Sequence, residues 1–241
     1  MRVLWISPQL PSPDRPGSMA PAARQLRSLR KLGIEFDVVE MRGVPVLKYP
    51  GAIPRVRRLA SAQDLIHAHF GYCGWLARCQ IRAPIVLSFM GDDLLGTPDD
   101  RGGLQWFSRV MARANRWLAG RVDAVIVKSA EMADVVAPVP AFVIPNGVDI
   151  DEFRPMSSVD AARELGWDPD AQHLLFPGNP ENPRKGYELA RAATQAAESA
   201  LGRPLRLVPL WGVDPGRVPL HMNACAAMWM TSLVEGSPNV V

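Results

Sequence analysis

Lys185 follows the apolar run HLLFPG and the proline-interrupted loop NPENPR, and stands just before a segment of helical period. The carboxyl end of a strand is where open parallel sheets bind their ligands, and an ammonium placed there meets a phosphate as a point charge. The alternative is a solvated lysine at a helix start, slightly unfavourable against the helix dipole. A second group of this kind closes the chain in SLVEGSPNVV. Gly236 allows backbone to approach a ligand closely, Ser237 suits an N-cap and Pro238 the first helical position, so the amides of a new helix would be turned toward an anion. Glu235, taken by itself, reads as a solvated carboxylate in a capping turn. DLIHAHFG places His67 and His69 two residues apart and so on one side of a strand. Two imidazoles on one face suggest a metal, but no third ligand stands near them in sequence, and no metal is expected. His67 reads as a satisfied core histidine.

These groups need a scaffold, and the sequence supplies one with a clear rhythm. The apolar runs RVLWIS, FDVVEM, DLIHAH, PIVLSF, AVIVKS and AFVIPN recur through the first 146 residues. Strands that are apolar without alternation suit a parallel sheet covered on both faces. Between them, Met19 to Leu32 puts Ala22, Leu26 and Leu29 on one stripe before Gly33, and Leu104 to Ala119 behaves likewise before Gly120. Alternation of strand and helix predicts a doubly wound α/β fold. The rhythm pauses at VIPNGVDIDEFRP and restarts at HLLFPG, followed by a helix from about Tyr187 to Leu201, then LRLVPL and CAAMWMTS. The expected organisation is a first domain over 1–147, a linker over 148–155 and a second domain over 156–241. That second domain offers three strands where an open nucleotide-binding sheet normally has five or six, so it is expected to be incomplete.

Composition narrows the function classes. The chain has 241 residues, 48% of them hydrophobic, with 27 Lys and Arg against 24 Asp and Glu for a net charge of +3. So mild a balance argues against nucleic acid as a partner and leaves room for a small anion. The start, MRVLWISPQL, carries too short an apolar run for a secretory signal, and no stretch approaches the roughly 18 residues of a membrane span, so a cytoplasmic protein is expected. Cys73, Cys79 and Cys225 form neither an even set nor a C-x-x-C pair, and read as core thiols.

VIPNGVDIDEFRP, FPGNPENPRKGYELA, DLIHAHFG and SLVEGSPNVV together resemble the retaining glycosyltransferases of family four, which have the two-domain GT-B fold. The likeness runs over nearly the whole chain, and PNGVD followed by Phe153 is its most specific piece. The resemblance implies transfer of a sugar, with retention, from a nucleotide-diphosphate donor to a hydroxyl of a polysaccharide, glycolipid or small molecule, without a cofactor. It assigns Lys185 to the diphosphate, with Gly178 and the residue after it. That residue is Asn179, where the family usually carries an arginine, and Arg184 is a possible substitute. Glu235 would hold hydroxyls of the donor sugar, with Ser237, Pro238 and Asn239 bringing helix-end amides to the diphosphate. In the family this glutamate is followed, after seven residues, by a second. Here the second would fall two residues beyond Val241, so the chain is expected to be cut inside its site and inactive by itself. On the acceptor side the resemblance points to His69 as the cleft histidine, to Gly17 and to Gly91 and Asp92. Gly17 also reads as a plain turn in RPGS. Met90 stands where relatives often have a histidine.

Other classes remain to be weighed. A dinucleotide-dependent oxidoreductase should lead from its first strand into G-x-G-x-x-G, whereas WISPQLPSPDRPGS has one glycine and four prolines. A sugar-nucleotide epimerase of the same two-domain form, or an inactive nucleotide-sugar-binding module, would share the donor half. Two helical faces are basic: Arg24, Arg27 and Lys31 on one helix, and Arg109, Arg113 and Arg116 beside Trp106, Phe107 and Trp117 on another. The second could rest on anionic lipid at the inner face of the membrane, or be a solvated face whose aromatics pack on the sheet.

Overall fold

The apolar runs of the first half form strands β1 (Arg2–Pro8), β2 (Glu35–Met41), β3 (Leu65–His69), β4 (Ile85–Ser88), β5 (Ala124–Val127) and β6 (Ala141–Val143). Helices α1 (Ala20–Lys31), α2 (Lys48–Ala60), α3 (Gly71–Ala77), α4 (Asp92–Leu95), α5 (Trp106–Ala119) and α6 (Ala130–Val136) connect them. The second half contains α7 (Ser158–Leu165), β7 (Gln172–Phe176), α8 (Tyr187–Leu201), β8 (Leu205–Pro209), α9 (Val218–Ala224) and β9 (Ala227–Met228). The computed structural model describes residues 1–44, 47–97 and 103–233, which fall into two compact units, 1–148 and 149–233. The stretch expected as a linker thus divides after Val148, with Asp149 to Pro155 grouped in the second unit.

In the first unit all six strands are parallel, in the order β2-β1-β3-β4-β5-β6. Both faces of the sheet are covered, which explains the uninterrupted apolar runs. Leu4, Ile6, Ile66 and Ala68 point into the main core with Val56 of α2 and Leu118 of α5, while Trp5 turns the other way onto Ala22 and Leu26 of α1. The chain leaves β1 toward β2 on one side and returns to β3 on the other. The β1/β3 pair is therefore the switch point, where doubly wound sheets bind ligands outside the carboxyl ends of their strands.

The second unit is built on the same plan with fewer parts. Its three parallel strands run β8-β7-β9, so β7 and β9 flank its switch point. Two of its helices were not foreseen, α7 and α9: α7 precedes β7 and packs Ala161 and Ala162 against Leu220 and Ala224 of α9. Its ends carry ordinary signals. Ser157 Oγ accepts from the Asp160 amide, and Gly166 closes the helix in the left-handed region at φ 73°.

Candidate functional site

At the first switch point the sequence places three aromatic rings together. Trp5 lies opposite His67 in register, and alternation brings His69 to the same face. The indole centroid is 5.0 Å from His67 and 3.9 Å from His69, and the two imidazoles are 4.2 Å apart. His67 Nε2 is hydrogen bonded to Ser88 Oγ at 2.8 Å, as a satisfied core histidine should be. Both lie deep: His69 is 0% exposed and His67 6%, and the bulk of Trp5 sits closer to His69. Both ring nitrogens of His69 lack a hydrogen-bond partner. Burial, with help from His67 and Lys128, holds His69 well below the ordinary histidine value, and burial pushes His67 down to about 4. Both rings are therefore neutral at pH 7 and act as hydrogen-bonding groups, not as cations.

The turn after His69 is strained. Phe70 sits at φ 78° and ψ 144°, a region nearly reserved for glycine that costs a side-chain-bearing residue of order 1–3 kcal/mol. A buried carboxylate stabilises that turn. Asp93 Oδ2 accepts from the Gly71 amide at 2.9 Å, and Oδ1 accepts from the amides of Met90 and Gly91 at 2.9 Å each. Asn115 of α5 extends the network, donating to the Asp93 carbonyl at 2.8 Å and accepting from Trp75 Nε1 at 3.0 Å. Burial raises Asp93 to about 6, although the three amides act in the opposite direction. This hub ties the loop after β3 to the loop after β4, where Gly91 takes φ 142°.

Of the acceptor-side residues, Gly91 belongs to this hub, whereas half-buried Asp92 lends its carboxylate to none of these bonds. The structural work falls to the neighbouring Asp93. Met90 contributes its amide to the same carboxylate. Gly17 is exposed, and a Cβ there would meet nothing within 4 Å, so packing does not explain its being glycine. Lys128, buried at the end of β5 and donating to the Ile144 carbonyl at 3.3 Å, escaped the sequence reading. The hint was a lysine inside the apolar run AVIVKS.

In the second unit, β7 ends in a loop whose turns are closed by its own asparagines. Asn179 Oδ1 accepts from the Glu181 amide at 3.0 Å, and Asn182 Oδ1 accepts from the Arg184 amide at 3.1 Å. Asn179 therefore uses its side-chain oxygen locally, leaving its amide NH2 as the donor it can offer a ligand. Pro183–Lys185 forms a single 3-10 turn, and Gly186, at φ 67°, redirects the chain into α8. The Lys185 stem lies along Gly178: a Cβ on that glycine would stand 3.0, 3.1 and 3.3 Å from Cγ, Cδ and Cε. Thr231, beyond β9, donates through Oγ1 to the carbonyls of Lys185 and Gly186 at 2.9 and 3.0 Å, and the Leu233 amide donates to the Arg184 carbonyl at 2.9 Å. Gly178, Asn179, Arg184 and Lys185 are thus gathered at the carboxyl end of β7, and the segment leading to Glu235 is fastened beside them. Glu235, Ser237, Pro238 and Asn239 themselves lie outside the described residues. Among the described residues, no group of three His, Cys, Asp or Glu side chains converges to hold a metal ion, and no helix is long and apolar enough to cross a membrane.

Residues 37–152 match the sequence profile of Glycosyltransferase Family 4. The chain is 32% identical over 162 residues to a D-inositol 3-phosphate glycosyltransferase of Actinosynnema mirum, an alignment spanning 61% of this chain and 37% of that protein. The structure resembles the sucrose-phosphate synthase of Thermosynechococcus elongatus with a TM-score of 0.70 at 16% identity, over 99% of this chain and 77% of the other. It also resembles Anabaena Alr3699/HepE in complex with UDP-glucose, with a TM-score of 0.58 at 18% identity, over 96% and 74% of the two chains. At such identities the likeness establishes the fold, two α/β units of the GT-B type.

Proposed function

Since the chain belongs, through residues 37–152, to glycosyltransferase family 4, we propose that the protein transfers a sugar from a nucleotide-diphosphate donor to a hydroxyl acceptor with retention of anomeric configuration. The observation that carries this reading is the seat of Lys185. Its stem is held against Gly178 at the end of β7, beside the fastened segment that leads from β9 to Glu235. A departing diphosphate gathers negative charge as the glycosidic bond breaks, and a fixed ammonium with helix-end amides stabilises it most where charge grows. Arg184 adds a second cation in place of the arginine that Asn179 replaces. The curated relative named above acts by name on an inositol phosphate, and the Anabaena structure holds UDP-glucose. The second supports a nucleotide-sugar donor for this chain.

On the acceptor side, Gly17 lies in the loop after β1, His69 at the end of β3 and Gly91 in the loop after β4, on either side of the switch point of the first unit. The His69 imidazole is neutral with two unpaired nitrogens, so its lowered pKa rules it out as a source of positive charge, and because the ring is wholly buried its hydrogen bond to a sugar hydroxyl requires the ring to become exposed. Glu235 takes donor-sugar hydroxyls. The leaving charge is met by side chains and amides, so chelation should leave transfer unchanged. Thermal-shift titration of the chain with a panel of nucleotide sugars, followed by a transfer assay with the stabilising donor on the protein carrying both glutamates, tests the proposal. Stabilisation by one donor class, lost in Lys185→Ala, supports it. Isomerisation of that donor without an acceptor would favour an epimerase, and indifference to every nucleotide would remove the donor site.

A further inference from the structure

Helix α5 presents a face that neither the fold nor the proposed reaction uses. Between Asp100 and Asp123 no acidic residue occurs, while five arginines do. On the inner side of the helix, Ala112, Asn115, Leu118 and Ala119 are buried. Opposite them, at helical spacing, run Trp106, Val110, Arg113 and Trp117, with Phe107 on one flank and Arg109 and Arg116 on the other. Trp106 is 76% exposed, Phe107 53%, Val110 51% and Trp117 52%. The aromatics are therefore turned away from the sheet, against the solvated-face alternative raised by the sequence. Trp117 stacks on Trp75 at 5.6 Å and 8°, and the Arg121 guanidinium covers its ring at 3.3 Å from the centroid, so the stripe is anchored at its carboxyl end. Arg109, Arg113, Arg116 and Arg121 form no ion pair with a carboxylate among the described residues.

We propose that this outward face of α5, centred on Trp106, Phe107, Val110 and Arg113, docks the protein on an anionic phospholipid bilayer. The chemistry matches on both counts. Indole rings prefer the level of the lipid headgroups, and a helix with bulky apolar side chains and arginines on its outer surface lies in the interface plane. Guanidinium groups take phosphate oxygens through paired hydrogen bonds, and the absence of acids along the helix leaves their attraction to anionic headgroups unopposed. A protein partner would instead be expected to offer carboxylates to a face whose cations are spread along its length. The inference is independent of the donor site, because docking is read without turnover.

The experiment is cosedimentation of the chain with vesicles of phosphatidylcholine alone and of phosphatidylcholine mixed with phosphatidylglycerol. The chain should sediment with the mixed vesicles, much less with the neutral ones, and less as salt rises. Each arginine near an anionic surface strengthens binding by roughly fivefold, so Arg109→Gln with Arg113→Gln should weaken it by about 25-fold. Arg27→Gln with Lys31→Gln on α1, a control that removes the same charge, should leave it within about twofold, and Trp106→Ser should weaken it on its own. These side chains are exposed, and circular dichroism of each variant verifies the fold. Equal binding to neutral vesicles, or equal losses in the α5 and α1 variants, would overturn the proposal. So would lipid-independent self-association abolished by Trp106→Ser, which would assign the face to a second copy of the chain.

Discussion

Gly178→Ala isolates the role of Lys185 without removing its charge. An added Cβ would lie 3.0 Å from Lys185 Cγ and 3.1 Å from Cδ, against about 3.5–4.0 Å for relaxed carbon atoms. The stem must then swing outward, carrying its ammonium away by about 0.5–1 Å. At an effective dielectric of about 20, an ammonium attracts one phosphate charge by about 5.5 kcal/mol at ~3 Å and about 4 kcal/mol at ~4 Å. The difference, about 1.4 kcal/mol, corresponds to tenfold in Kd. Lys185 is half-buried, so water screens part of this, and an expected loss of roughly three- to tenfold is appropriate. Lys185→Ala should cost more than about 100-fold, since nearly the whole attraction disappears. Calorimetric titration with the nucleoside diphosphate that most stabilises the parent chain reads both, with urea unfolding verifying that stability stays within about 1 kcal/mol. If both variants bind as tightly as the parent, Lys185 does not meet the diphosphate and the placement of the donor is wrong.

Three further outcomes follow from particular contacts. Gly186→Ala puts a Cβ against the Thr231 carbonyl oxygen in a left-handed backbone, costing about 1–2 kcal/mol for the dihedrals alone and more for the displaced segment; urea unfolding should show at least about 2 kcal/mol lost, and no loss would deny that contact. Asn115→Ala removes the Trp75 acceptor and the donor to Asp93, and should destabilise the first unit by about 2–3 kcal/mol, whereas a value near zero would show that water replaces the amide. His67 titrates at about 4 in the folded state against an ordinary 6.5, so its stabilising contribution is present above 6.5 and is lost as pH falls toward 4, by roughly 3 kcal/mol in all. Asp93, raised from 3.8 to about 6, opposes it: its contribution is present below 3.8 and is lost as pH rises through 6. His67→Gln should therefore flatten the acid side of the stability profile relative to the parent, and an unchanged profile would mean that His67 does not titrate between these limits.

The parts of the fold that could be read in advance are those fixed by burial on both faces. The runs RVLWIS and DLIHAH became β1 and β3 because every second residue meets a different covering layer, Ile66 on one side and His67 on the other. Helix α8 begins and ends where glycine punctuation placed it, at Gly186 and Gly202. In contrast, CAAMWMTS yields only Ala227–Met228 as a strand, because the chain turns aside to tie Thr231 to the carbonyls of Lys185 and Gly186. Helix α7 was overlooked because it buries only two alanines, too weak a stripe to show by period. The Asp93, Gly71 and Asn115 hub joins residues 22 apart at each step, and nothing local in the sequence marks such a connection. The closeness of the Trp5 ring to His69 was equally hidden.

A crystal structure of the chain with the nucleotide-diphosphate sugar that stabilises it would locate the donor. The diphosphate should lie at the carboxyl end of β7, with an oxygen about 3 Å from Lys185 Nζ. A diphosphate bound away from β7, with Lys185 making no contact to it, would contradict the central claim.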